Sequence, residues 1–117
     1  ESANYFINDI KITNDLCKIN DIKCLFILQP QVFGSTISQH SEIIKNANKI
    51  MPHYQIIIEI GYKYILDNCK ICIDASEILN DKSDTFIDPV HFSKQGSIVI
   101  GEFISDRIRK ELNKNND

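Results

Sequence analysis

The sequence predicts an α/β fold built on a parallel sheet. Short apolar runs bounded by turn residues alternate with segments whose apolar residues recur at helical spacing. Strands that alternate with helices pair in parallel, through right-handed crossovers.

Taken in order, residues 3–19 form the first expected helix: Phe6, Ile10 and Cys17 share a face, Leu16 lies beside it, and Asn20-Asp21 ends it. Residues 23–28 are a short apolar run between Asp21 and Pro30, the pattern of a buried parallel strand. Residues 29–39 carry Pro30, Gly34, Ser35, Thr36 and Ser38 and read as loop. Ser38 or Ser41 is the expected cap of a helix over 39–67, broken near Pro52. Its first part is patterned by Ile43, Ala47, Ile50 and Met51. Its second carries Tyr54, Ile57, Ile58, Gly61, Tyr64 and Ile65 on one face.

The second strand is expected at 70–73, one helical turn at 75–80, and loop at 81–86. A last helix over 93–114 starts at Ser93, a good N-cap, and bears a stripe of Val99, Ile100, Phe103, Ile104, Ile108 and Leu112. Gly101 in mid-helix costs about 1 kcal/mol relative to Ala, which a close packing contact with a sheet would rationalise. Arg107, Arg109, Lys110 and Lys114 suit the negative end of the helix dipole, and 113–117 read as a frayed polar tail.

Composition bounds the function. At 117 residues the chain is one domain or part of one, and 43% hydrophobic with 25% charged residues is ordinary globular composition. A net charge of −3 argues against nucleic acid or an anionic membrane as main partner. The apolar run Ile56-Ile57-Ile58 stops at Glu59, far short of a transmembrane span. Four cysteines include the C-x-x-C of Cys69 and Cys72, with Cys17 and Cys24 far upstream. Zinc sites repeat that spacing or add a His pair, and redox motifs open a helix rather than close one. The expectation is free, mostly buried thiols, weakly favouring a cytoplasmic setting, with no metal and no cofactor.

The chemistry concentrates in Asp88-Pro89-Val90-His91, which leads through Phe92-Ser93-Lys94-Gln95-Gly96 into the last helix. An Asp three residues before a His can orient the imidazole, and the imidazole can take a proton from a nucleophile. Ten Asp and three His make about a quarter of one such spacing by chance, and Asp-Pro also starts plain turns. Context adds weight. Ligands bind beyond the carboxyl ends of parallel strands, and Gln29-Pro30 and the 88–91 loop follow the two expected strands on one rim. His91 lies just before a helix N-terminus, whose positive end disfavours imidazolium.

Ile87 to Gly96, followed by Ile98-Val99-Ile100-Gly101-Glu102-Phe103-Ile104, resembles the last conserved block of the SGNH (GDSL-type) hydrolases. Phe26-Ile27-Leu28-Gln29-Pro30 is similar to a strand end in a subset of that family, and the order of elements fits from residue 4 to residue 112. The resemblance implies the C-terminal part of a three-layer, flavodoxin-like parallel-sheet domain. It also implies hydrolysis of an ester, whether a small molecule, an acylated carbohydrate or a lipid. A Ser would attack, His91 would be the base and Asp88 its orienter, and a backbone amide, a Gly and an Asn would form the oxyanion hole.

The departure lies upstream. No Gly-Asp-Ser occurs, and no Asn-Asp pair has a Gly two residues ahead. The expectation is therefore that residues 1–117 are the base-bearing portion of one SGNH-like domain whose nucleophile-bearing portion is absent. The alternatives are an inactive degenerate relative and a noncatalytic α/β binding module. Gln29 is a candidate substrate contact, against a plain loop residue bonded to backbone. His40 and His53 read as exposed or capping residues. Asp74 could support the dyad loop, and Asp84 could replace Asp88 as orienter. Ser35 is the only internal nucleophile to consider, but it lacks the tight strand-to-helix turn that exposes such serines.

Overall fold

The computed structural model describes residues 1–113. Its elements are α1 (Ser2–Ile19), β1 (Phe26–Leu28), a 3₁₀ turn (Val32–Gly34), α2 (Ser38–Ile50), α3 (Tyr54–Asn68), β2 (Cys72–Asp74) and α4 (Lys94–Asn113). The fold is mixed and largely helical, with a two-stranded sheet. β1 and β2 are parallel, with Phe26 opposite Cys72, Ile27 opposite Ile73 and Leu28 opposite Asp74. The Ala75 N–H extends the ladder to the Leu28 carbonyl at 3.1 Å. The expected alternation is thus observed, although each strand is three residues long and begins later than its apolar run. Lys114 and the rest of the expected tail lie outside the described residues.

Two apolar cores hold the elements. The first joins Ile7 and Ile10 of α1, Leu28 of β1, and Ile65 and Cys69 at the end of α3. The second joins Val32, Phe33, Ala47, Leu79 and Phe86, with Val99 and Ile100 of α4 against it. In α1 the buried stripe is Ile7, Ile10 and Cys17, while Phe6 and Leu16 are exposed. Phe6, Ile12, Leu16 and Ile19 form a second, uncovered apolar stripe on this helix. On α3, Ile57 and Tyr64 are likewise exposed.

Several expectations are corrected. The cysteines are not free: Cys17 is bonded to Cys24, and Cys69 to Cys72. The chain turns back after α1, with Asp21 in the left-handed region at φ 55° and the Ile22 N–H bonded to the Cys17 carbonyl. That turn sets the Cα atoms of Cys17 and Cys24 6.3 Å apart, within disulfide reach. The turn between α3 and β2, closed from the Cys72 N–H to the Cys69 carbonyl, holds its pair at 5.4 Å. The argument from reduced cysteines to a cytoplasmic setting therefore lapses, because paired cysteines persist in oxidising surroundings.

Neither Ser38 nor Ser41 caps α2. The N-cap position is Ile37, whose N–H is bonded by the hydroxyl of Ser35 instead. Residues 75–80 form a series of turns rather than a helix. Gly101 meets nothing within 4 Å, so no close contact explains it. His40 is fully buried, not exposed.

Candidate functional site

The loop carrying Asp88 and His91 is clamped at its base. Phe86 and Phe92 form an antiparallel bridge, and their rings pack 5.6 Å apart against the second core. The Ile87 N–H donates to the His91 carbonyl at 2.9 Å, and the Ser93 N–H to the Thr85 carbonyl at 3.0 Å. Helix α4 starts immediately after this bridge. The Ser93 hydroxyl accepts the Gly96 N–H at 3.1 Å, the capping bond expected of it, and itself donates to the Asp84 carbonyl. Gly96 is required here: a Cβ would drive into the backbone carbonyl of Thr85.

Within the loop, one carboxylate does two things. Asp88 Oδ1 accepts the N–H groups of Val90 (3.0 Å) and His91 (2.9 Å), closing the turn. Its Oδ2 lies 2.7 Å from Nδ1 of His91. The Val90 amide, followed by the imidazole, holds the Asp88 carboxyl below its ordinary pKa. An ionised carboxylate only accepts, so Nδ1 carries a proton and donates it, which leaves Nε2 as the ring nitrogen outside this bond. The side chain of His91 is 73% exposed, and Nε2 has no partner among the described residues. The carboxylate that meets His91 is that of Asp88. Asp84 is instead latched to Gln39, accepting from its Nε2 at 2.5 Å and donating its N–H to Oε1 at 3.0 Å.

The other candidates fall elsewhere. Gln29 is exposed and bonds the Tyr62 hydroxyl, whose pKa is raised by burial and lowered in part by that bond. Asp74 Oδ1 accepts the Ser76 N–H at 2.8 Å in a local turn and does not touch the dyad loop. His53 is exposed, at the N-cap position of α3 with φ 68°.

Ser35 and His40 form a second pair that spacing did not reveal. The Ser35 hydroxyl lies 2.7 Å from His40 Nδ1 and donates to the Asn80 carbonyl at 2.8 Å. Burial lowers the pKa of His40, with the Asp84 charge acting weakly the other way. The ring sits edge-on to Phe86 at 5.2 Å, and neither His40 Nε2 nor Asn80 Oδ1 has a partner among the described residues. No substrate can reach a fully buried imidazole, so this serine is a structural tie between two loops. The only sequence signal for it was a His five residues after a Ser, which is common.

No protein-family model, curated protein or solved structure matches this chain. Among the described residues no helix is long and apolar enough to cross a membrane.

Proposed function

We propose that residues 1–117 are the base-bearing portion of an SGNH-type carboxylic ester hydrolase. The observation that carries the reading is the 2.7 Å bond from His91 Nδ1–H to an Asp88 carboxylate whose other oxygen is fixed by two amides. His91 Nε2 takes the proton of a serine hydroxyl as Oγ bonds to the ester carbonyl carbon. It returns that proton to the leaving alkoxide as the C–O bond breaks. A water then repeats the cycle and releases the acid. Asp88 stays ionised and stabilises the imidazolium that forms in each half.

The serine and oxyanion donors come from a further portion of the domain, packed on the open side of this chain. Two magnitudes support that part of the reading. The accessible surface is 8057 Å², against roughly 6,500 Å² for a compact monomer of this mass. The radius of gyration is 16.0 Å, against roughly 13 Å. The excess, about 1,500 Å², is what one partner of a large interface covers. Exposed Phe6, Ile12, Leu16 and Ile19 on α1, with Ile108 and Leu112 on α4, are apolar side chains that such a portion would cover. This portion would complete the three-layer sheet.

The competing reading is a noncatalytic α/β module that uses the same rim. It is favoured by one fact: no serine hydroxyl meets His91 among the described residues.

The test is to express the full reading frame that encodes this chain and assay short-chain esters. His91→Ala should lower turnover by about 10²–10⁴-fold with the circular dichroism spectrum unchanged. Asp88→Asn should lower it less, because the imidazole remains. Residues 1–117 alone should not hydrolyse p-nitrophenyl acetate above the background of exposed histidines. Wild-type turnover in His91→Ala would leave the binding-module reading.

A further inference from the structure

An apolar groove of about 460 Å³ runs along the dyad loop. One wall is the end of α2, with Ile43, Ala47, Ile50 and Met51; the other is the loop itself, with Pro89 and Val90. Its size is that of a small-ligand site, and no Lys or Arg lines it. Its sole charge is Asp88, the residue that holds His91. Water-exposed Ile50, 85% accessible, and half-exposed Met51 leave the groove uncovered where a ligand would lie.

Resting on the ester-hydrolase reading, we propose that this groove binds the acyl chain of the substrate, a neutral alkyl chain of several carbons rather than acetyl. Three features select that occupant. The walls are apolar apart from Asn46, the Tyr54 hydroxyl and Asp88, so an alkyl chain gains from burial along most of its length. The one charge is negative and there is no cation, so a carboxylate or phosphate group is repelled. The groove shares Ile87, Asp88, Pro89 and Val90 with the loop that carries His91, so a chain lying in it runs along the residue that holds the imidazole. The larger cavity, about 680 Å³ between Ile22 to Ile27 and the end of α4, does not include the dyad loop and is lined by Lys18 and Lys23.

Two measurements test this, and they separate failure of the groove from failure of the hydrolase reading. The first is methyl-region NMR of the 117-residue chain, titrated with methyl hexanoate, methyl acetate and sodium hexanoate. Methyl hexanoate should shift the methyls of Ile50, Met51 and Val90 saturably. Methyl acetate should bind at least tenfold more weakly, and so should the hexanoate anion. Ile50→Asp, at an exposed position that supports no core, should abolish the hexanoate-ester shifts. The second is kcat/KM of the full reading frame on p-nitrophenyl acetate and hexanoate. Each buried methylene is worth about fourfold, so four partly covered ones should favour hexanoate at least tenfold, and Ile50→Asp should cancel that preference. Saturable binding in the groove without turnover supports the groove and removes the hydrolase reading. Turnover with no chain-length preference keeps the hydrolase and overturns the groove. Shifts confined to the Lys18–Lys23 cavity, or no shifts at all, also overturn it.

Discussion

The two cores of this protein are held by different forces. The first, where α1, β1 and α3 meet, is apolar side chains plus both disulfides, with Cys17 and Cys69 buried within or beside it. The second contains as many buried apolar residues but no disulfide. It is tied by polar groups: Ser35 to His40 and Asn80, Gln39 to Asp84, Thr85 to Lys82, and Ser93 to Asp84 and Gly96. The difference follows from what each core encloses. Helices and strands satisfy their own backbones, so their core needs only apolar contact and a covalent staple. Loops bring unpaired backbone groups with them, and side chains must satisfy these before the loops can be buried. The dyad sits on the second core, so its geometry depends on hydrogen bonds rather than on staples.

Breaking the second core at its tightest point should have the largest effect on stability. Gly96→Ala pushes a methyl into the Thr85 carbonyl and should cost about 3 kcal/mol. Urea denaturation measures it, and the Asp88–His91 loop should lose its NMR dispersion together with the fold. A cost under about 1 kcal/mol would mean that the junction of loop and helix yields to a methyl at Gly96.

Severing the first core's staple should come next. Cys17→Ala with Cys24→Ala should lower stability by about 2 kcal/mol, read from urea midpoints. The chemical shifts of His91 should not move, because no staple reaches the second core. A change at His91 would show that the two cores are not separate.

Acid should act on the second core first. Burial lowers the pKa of His40 in the folded chain below the ordinary value of about 6.5 that it takes when unfolded. Its contribution is present above that ordinary value. As the pH falls through it the unfolded chain takes the proton first, and stability declines until the folded pKa is passed. The limiting slope is about 1.4 kcal/mol per pH unit for one proton. His40→Leu should flatten this part of the stability–pH curve relative to wild type, while the first core's response to acid stays the same. An unchanged slope would place the titration elsewhere.

The smallest expected effect is a gain. Gly101→Ala on α4 has open space for its methyl and should stabilise the chain by about 0.5–1 kcal/mol, seen as a rise in Tm. A loss instead would mean that this face is covered in solution, which would sharpen the contrast between the clamped start of α4 and its open length.

The sequence by itself determined whatever depends on near neighbours. The helical period located α1, α2, α3 and α4, and Pro52 located the break between α2 and α3. The apolar runs located both strands and their parallel pairing. The Asp88–His91 pair was legible for the same reason: the bonds that make it, from Asp88 to Val90 and His91, span three residues. Only the tertiary structure decided what depends on where the chain returns. The Cys17 and Cys24 pairing needed the reversal at Asp21. His40 is buried because the 75–86 segment folds over it, setting Phe86 on its ring and Asn80 on Ser35. The groove beside Asp88 exists because the end of α2 comes to lie along residues 87–90, more than thirty positions later. Spacing along the chain encodes contacts within a turn or two; contacts across such separations are set by which surfaces pack, and single residues do not announce them.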